Sequence, residues 1–578
     1  MKRNLLMILG IYLGLLGVCY LGMHEVSPRH TVFLLVDAIL FISTLHYMDD
    51  KRQFIKGMAL GMGLLCSIFI IRFLTPVEMK AWEVYTFLSF SFALCNMFMI
   101  LTAVIPNTYL KRAVVLMGGM FVLLPTVICW GYYFSEHAWL NVEAVMAALQ
   151  TNSAEAFSYI HDRTGFMALV LIFFLAVILF LMVKFLGKIS VRKLSAAGYV
   201  VLLVLFALSG VLLVRTSDNF VLSIYEETKD YQREYDEYAR QREERQHNLA
   251  QNVTIDSQGQ DGVFVLVIGE SENRDHMSAY GYNLETTPWL DKMASDPNMI
   301  LFQNAYSCHV QTVPVITYAM TEKNQYNTVE LEKAVSLIEV AKAAGYETVW
   351  LSNQVRYGSW GTPISVIADA ADKQIWINSH QGNTLDTDYY DEELVNKLDE
   401  IKPGKKMLIV LHLMGSHISY QDRYPATFEK FMTDGNTGEY DNSILYNDFV
   451  MSKLLDKVAS WQNFKGLVYF SDHSEAIDSG KSHNPATFSL DMTNIPLYMY
   501  FSSTWQQDNA QRFSNLRQAK DYYFTNDLIF DTMLGIMGIS SSQLTDSAND
   551  LSADGYNHDL ARFKTLYGKK SIQDVVKK

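Results

Sequence analysis

The sequence predicts a multi-span α-helical membrane domain followed by an α/β domain with a largely parallel central sheet. Three observations carry that expectation. Residues 1–214 hold nearly all of the long uncharged stretches, each near the length that crosses a hydrocarbon core. From residue 262 the apolar runs become short and alternate with helical stretches, the pattern of a parallel sheet buried on both faces. Polar, metal-capable side chains follow one run after another in this second half.

Candidate spans fall at 5–23, 30–47, 57–74, 82–105, 113–131, 165–183 and 197–213. Two are short or interrupted, and five spans with the weakest stretches lying in the interface preserve the same orientation. A cleaved signal peptide would leave the later spans unexplained. Lys2 and Arg3 precede the first span; Lys51, Arg52 and Lys56 follow the second; Lys111 and Arg112 follow the fourth; Lys184, Lys188, Arg192 and Lys193 follow the sixth. Basic residues mark every other loop, which places the N terminus inside and the C-terminal domain outside. Residues 132–164 form a longer outside loop, and 215–261 a charged linker or interfacial helix, with 225–250 carrying both signs of charge and neither Pro nor Gly. Spacing is the plain role of such a segment; admission of a lipid substrate is the alternative. Residues 262–578 remain as the outer domain.

A net charge of -14 and a pI near 5.5 exclude a nucleic-acid partner, because no basic stripe is present to displace counterions. They do not exclude local phosphate binding through a metal or a helix terminus. Cys19, Cys66, Cys95 and Cys129 lie in apolar segments, leaving Cys308 alone outside them. The outer domain therefore has no internal disulfide and rests on its core.

Its strand-like runs are 263–268, 346–351, 406–411 and 465–470, with amphipathic stretches such as 328–343 and 391–399 between some of them. Ligands in such folds collect beyond the carboxyl ends of the strands. There the sequence places Gly269-Glu270, Ser352-Asn353, His412 with Gly415-Ser416-His417, and Ser471-Asp472-His473. Taken singly, Glu270 reads equally as a helix cap or surface carboxylate, and Asp472-His473 as a helix cap. Together they offer the oxygen and nitrogen donors that zinc accepts. Thr312, between an apolar run and a predicted helix, is a helix cap on its own; beside a metal it is a ligand and an activated nucleophile. Cys308 is the rival nucleophile, without a partner base in the sequence. His417 in GSH and His483 in SHNP are candidates for phosphoryl contacts and proton handling. Glu475 and Asp478 read chiefly as loop charges, with a supporting role to the metal site as the alternative.

The segments VLVIGESENRDHMSAYGYNLETTPWL, FQNAYSCHVQTVPV, LIVLHLMGSHISYQDRYP, YDNSILYNDFV and VYFSDHSEAIDSGKSHNP, with the membrane half before them, resemble the phosphoethanolamine transferases of Gram-negative inner membranes, in the alkaline-phosphatase-like superfamily. The resemblance implies an alkaline-phosphatase-like outer domain in the periplasm and a zinc site of Glu270, Thr312, Asp472 and His473, with Thr312 becoming phosphoethanolamine-modified. It implies His417 and His483, and less directly Asn353 in WLSNQ, as substrate contacts. The reaction it implies takes phosphoethanolamine from phosphatidylethanolamine, among the membrane lipids, to an acceptor on the cell envelope. The lipid A branch commonly carries several disulfides in its outer domain and a CGTST-like segment; this sequence has CHVQT and no disulfide there. That departure favours the branches acting on lipopolysaccharide core sugars or periplasmic glucans, core sugar first.

Three other readings are open at this level. A phosphoglycerol transferase of the lipoteichoic-acid-synthase type shares the fold and the threonine. A sulfatase or phosphatase is the second, at superfamily level; a typical sulfatase signature has a modified Cys or Ser followed by x-P-x-R, which CHVQTVPV lacks. A membrane sensor or transporter with a degenerate outer domain is the nonenzymatic reading, and no constellation of membrane-embedded charges supports it.

Overall fold

The computed structural model describes residues 2–23, 25–75, 80–150, 165–354, 363–378, 389–432 and 436–576. Residues 151–164 of the expected outside loop lie outside them; the part before is occupied by the end of the helix Thr108–Glu136 and by the helix Val142–Gln150. The chain divides into two compact units, Met1–Met146 with Phe157–Asp230, and Ala147–Ala156 with Tyr231–Lys578.

Among the described residues of the first unit, five helices are long and apolar enough to cross a membrane: Lys51–Leu74, Ala81–Val104, Thr108–Glu136, Leu169–Leu186 and Ala196–Arg215. Two of the seven expected spans are shorter apolar helices, Asn4–Tyr20 and Thr31–Tyr47. Ala81–Val104 is the central helix, with 72% of its apolar window buried. It carries Asn96, whose Nδ2 donates to Thr44 Oγ1 at 3.3 Å and Ser209 Oγ at 3.0 Å, tying three helices where no water competes. The peripheral helices instead expose Leu169, Phe173, Phe180, Leu203 and Val214, as a surface facing hydrocarbon does.

The charged segment 215–261 forms the helices Phe220–Arg240 and Arg242–Asn252, and the division between units falls inside the first of them. From Tyr231 onward it belongs to the α/β unit. Arg245 explains why: its buried guanidinium stacks on Tyr238 at 3.8 Å, lies 3.9 Å from Glu339 and donates to Glu332 O at 3.1 Å.

The α/β unit is built on seven strands: β1 (Gly262–Gly269), β2 (Met299–Phe302), β3 (Glu347–Ser352), β4 (Lys373–Trp376), β5 (Lys406–His412), β6 (Phe464–Ser471) and β7 (Leu497–Phe501), in the order β2-β7-β6-β1-β5-β3-β4. β6, β1, β5, β3 and β4 pair in parallel, and β7 runs antiparallel to both β6 and β2. The four runs read from the sequence are β1, β3, β5 and β6, all within the parallel part of the sheet and each paired on both sides. They are continuously apolar because both faces are covered, β1 being buried along its whole length. The stretch 328–343 yields a shorter helix than expected, Leu337–Ala343. Ser336 and Glu339 form a reciprocal capping box that starts the helix there,.

Register fixes where the site can form. Ile268 lies opposite His412, Gly269 opposite Ser471, and Ser352 opposite His412. Four strands thus end level, and the residues that follow them share one edge of the sheet.

Candidate metal centre and nucleophile

Glu270 leaves β1, Asp472 and His473 leave β6, and Thr312 opens the helix Thr312–Ala319. Thr312 Oγ1 donates towards Glu270, 3.2 Å from each carboxylate oxygen, and stands 3.4 Å from His473 Nε2. His473 Nε2 is 3.3 Å from Glu270 Oε1 and 3.5 Å from Asp472 Oδ2. Glu270, Asp472 and His473 are 1%, 0% and 1% exposed, and one donor atom from each lies within 4.8 Å of the others. Two carboxylates and an imidazole packed this tightly, with a hydroxyl on top, are a donor set suited to zinc.

The surroundings hold these groups in a ligand-like state. Ser271 adopts a left-handed conformation at φ 60°, which costs a non-glycine residue about 1–3 kcal/mol. This turn aims its N–H at Asp472 Oδ1 (3.1 Å) while its Oγ donates to Glu270 Oε1 (3.0 Å). The His473 N–H also binds Asp472 Oδ1, at 2.7 Å. Asp472 Oδ2 is buried with no hydrogen bond among the described residues, an acceptor that a cation would satisfy. His473 Nδ1 faces Ser474 O at 3.3 Å, so a proton held there leaves the Nε2 lone pair directed at the cluster. Burial pushes the carboxyls of Glu270 and Asp472 up to about 7, Asp472 also feeling the charge of Glu270. Burial lowers His473 from the usual histidine range. Each direction states the same cost, that of burying charge without a counter-ion.

His483 joins the site from its loop: its ring centroid lies 4.4 Å from that of His473, and its Nδ1 is 2.6 Å from Glu475 Oε1. Burial opposes its charge, but the Glu475 carboxylate outweighs that and lifts it to about 9. Glu475 is fully buried and so is no surface loop charge; Asp478, with its side chain 82% exposed, is one. His417 is half-buried, and burial together with the nearby Arg423, His483 and His473 holds it down at about 3.

The structure separates other candidates from the cluster. Asn353 is fully buried and its amide is spent inside the protein, donating to Tyr389 O and Asp391 Oδ1 and accepting from Asn378. His412 ends β5 in the core, edge-on to Trp350, its ring nitrogens without a hydrogen-bond partner among the described residues, and burial holds it near 3. Cys308 is also fully buried, and burial first, then Asp527, pushes its thiol well above the usual range, the state of an inert cysteine. One contributor to the cluster was not read from the sequence: Ser271, which acts through its left-handed backbone, its N–H on Asp472 and its hydroxyl on Glu270.

Residues 263–539 match the family model described as Sulfatase. The chain carries a sulfatase-family domain. Among its relatives, the phosphoethanolamine transferase EptC of Escherichia coli (strain K12) is 35% identical over 288 residues, 46% of this chain and 49% of that protein. CptA of Salmonella typhimurium (strain LT2) is 31% identical over 301 residues, 48% of this chain and 51% of that protein. The chain spans about half the length of the curated relatives it matches. A crystal structure of the C-terminal periplasmic domain of E. coli EptC in complex with Zn superposes with a TM-score of 0.50 at 30% identity, over 55% of this chain and 93% of that one. The integral membrane protein lipooligosaccharide phosphoethanolamine transferase A of Neisseria meningitidis shares the fold, with a TM-score of 0.58 at 18% identity over 86% of this chain and 98% of that one. The expectation of helical spans followed by a largely parallel α/β domain is borne out, and the sulfatase-family domain presents a donor set fit for zinc at its strand ends.

Proposed function

We propose that this protein is a multi-pass enzyme of the bacterial inner membrane that moves phosphoethanolamine from phosphatidylethanolamine to a cell-envelope glycan. The acceptor we favour is a lipopolysaccharide core sugar, and the outer domain faces the periplasm. The observation that carries the reading is the position of Thr312 Oγ1, 3.2 Å from both Glu270 oxygens and 3.4 Å from His473 Nε2. A nucleophile of a covalent mechanism belongs there. The names of the relatives, phosphoethanolamine transferases EptC and CptA, supply the group transferred.

Glu270, Asp472, His473 and Thr312 would hold the metal, which when bound supplies Lewis-acid stabilisation of the threonine oxygen and the phosphoryl oxygens. In the first half-reaction Thr312 Oγ1 forms a bond to phosphorus as the bond from phosphorus to the diacylglycerol oxygen breaks. Thr312 gives up the proton it now shares with Glu270, and the departing oxygen takes one up. In the second half, an acceptor hydroxyl oxygen forms a bond to the same phosphorus as the bond from phosphorus to Thr312 Oγ1 breaks; the acceptor oxygen loses its proton and Thr312 Oγ1 takes one up. His483, held as a cation by Glu475, faces the phosphoryl charge, and His417, kept neutral by burial, is a hydrogen-bonding contact for the phosphoryl group,. Attachment to the membrane supplies the proximity between lipid donor and threonine.

The donor is tested with the purified zinc-loaded chain in detergent micelles containing either phosphatidylethanolamine or phosphatidylglycerol, with diacylglycerol release as the readout. Release from phosphatidylethanolamine alone is expected. Release from phosphatidylglycerol alone would replace this reading with a phosphoglycerol transferase.

A further inference from the structure

Asp391 is none of the groups assigned a role above, yet its carboxylate holds the loop that seats Glu270. It is 6% exposed. Its Oδ1 accepts the Met414 N–H at 2.9 Å and its Oδ2 the Gly415 N–H at 2.8 Å. Asn353 Nδ2 donates to the same Oδ1 at 2.9 Å, and Asn378 Nδ2 donates to Asn353 Oδ1 at 2.7 Å.

On its far side the loop presses on the metal-ligand segment. Gly415 sits at φ +51°, so close to Glu270 that a Cβ there would stand 2.7 Å from Glu270 O and 2.8 Å from its N. The next residue, Ser416, donates its N–H to Glu270 O at 2.9 Å, and the His417 N–H closes the turn onto Met414 O at 3.2 Å. A continuous series of hydrogen bonds therefore runs from Asn378 through Asn353 and Asp391 to the turn at 414–416, and from there to the backbone of Glu270.

We propose that Asp391 is a positioning residue of the metal centre, clamping the turn that orients Glu270 on one side and His417 on the other. The proposal rests on the reading of Glu270 as a metal ligand. Asp391→Asn keeps the shape but turns one acceptor into an N–H₂ group facing an N–H. One clamp bond is lost and the turn relaxes away from Glu270. Groups that orient metal ligands typically matter about 10–100-fold in metal affinity.

The fold contains a matched control. Asp448 is 5% exposed and also clamps two backbone amides, Trp289 N at 2.8 Å and Leu290 N at 3.0 Å, but these belong to the helix Pro288–Met293 and not to the ligand loop. Asp448→Asn makes the same chemical change without touching the turn at 414–416.

The full-length chain in detergent, stripped of metal, is titrated with zinc against a chromophoric chelator as wild type, D391N, G415A and D448N, with the metal-free Tm measured for each. D391N and G415A are expected to bind zinc about 10–100-fold more weakly, while D448N lowers Tm and leaves zinc affinity unchanged. Wild-type zinc affinity in D391N, or an equal loss in D448N, overturns the proposal. Should D391N fail to fold, wild-type affinity in G415A overturns it in the same way. A wild-type chain that binds no zinc at all removes the metal-ligand reading itself, a failure visible before any variant is compared.

Discussion

The middles of the central strands and their carboxyl ends follow opposite rules. Val265, Leu266, Ile409, Val410 and Leu467 are at most 1% exposed and wholly apolar, so their burial stabilises the domain. A few residues along the same strands, Glu270 and Asp472 are buried just as deeply, yet one oxygen of Asp472 has no hydrogen bond among the described residues and Ser271 is held in a strained turn. Burial there opposes stability. The contrast teaches that the sheet is a rigid mount, and that the free energy of its core holds in place a site the metal-free protein would otherwise relax.

The largest break in that contrast is expected at Thr312. Thr312→Ala should lower transfer on the order of 10³-fold or more, the scale on which removing a nucleophile acts, with Tm near wild type in a thermal melt. Mid-strand, the opposite split is expected: Leu266→Ala should cost about 2–5 kcal/mol in denaturant unfolding, while the folded fraction keeps its zinc affinity. A Leu266→Ala chain that unfolds normally but loses zinc would show that mount and site are not separable.

How much of this was legible in the sequence depended on whether a role is carried by a residue type or by a conformation. Buried parallel strands are continuous apolar runs, so β1, β3, β5 and β6 were readable; β2, β4 and β7 are short edge or near-edge strands, β4 half-exposed throughout, and carry little pattern. Glu270, Thr312, Asp472, His473 and His483 were visible as metal-capable or phosphate-capable residues after apolar runs, and the structure brings them together. Asn353 was read as a substrate contact on the same grounds, although its amide is used up inside the protein. Asp391 carried no signal, because what it recognises is two backbone N–H groups. Glu475 looked like a loop charge because nothing local reveals that the chain folds back to pair it with His483.

A smaller effect should appear with pH. In the metal-free protein the carboxyls of Glu270 and Asp472 hold their protons up to about 7, whereas in the unfolded chain they release them near the usual ~4. Their contribution to stability is fully present below the unfolded value and is lost as pH rises through 7. Zinc binding displaces the same protons, so calorimetry in buffers of different ionisation heat should show proton release near pH 6 that fades by pH 8. Zinc uptake without proton release at pH 6 would contradict the assignment of these two carboxyls. The smallest effect is expected at Cys308: Cys308→Ala, removing a buried thiol, should leave transfer activity near wild type, and a large loss would restore the thiol as a rival to Thr312.

The most direct measurement is intact-protein and peptide mass spectrometry of the zinc-loaded chain after incubation with phosphatidylethanolamine, for wild type and Thr312→Ala. The account predicts a phosphoethanolamine adduct confined to the peptide containing Thr312 and absent from the variant. An adduct on another residue, or none on folded, zinc-loaded wild type, would contradict it.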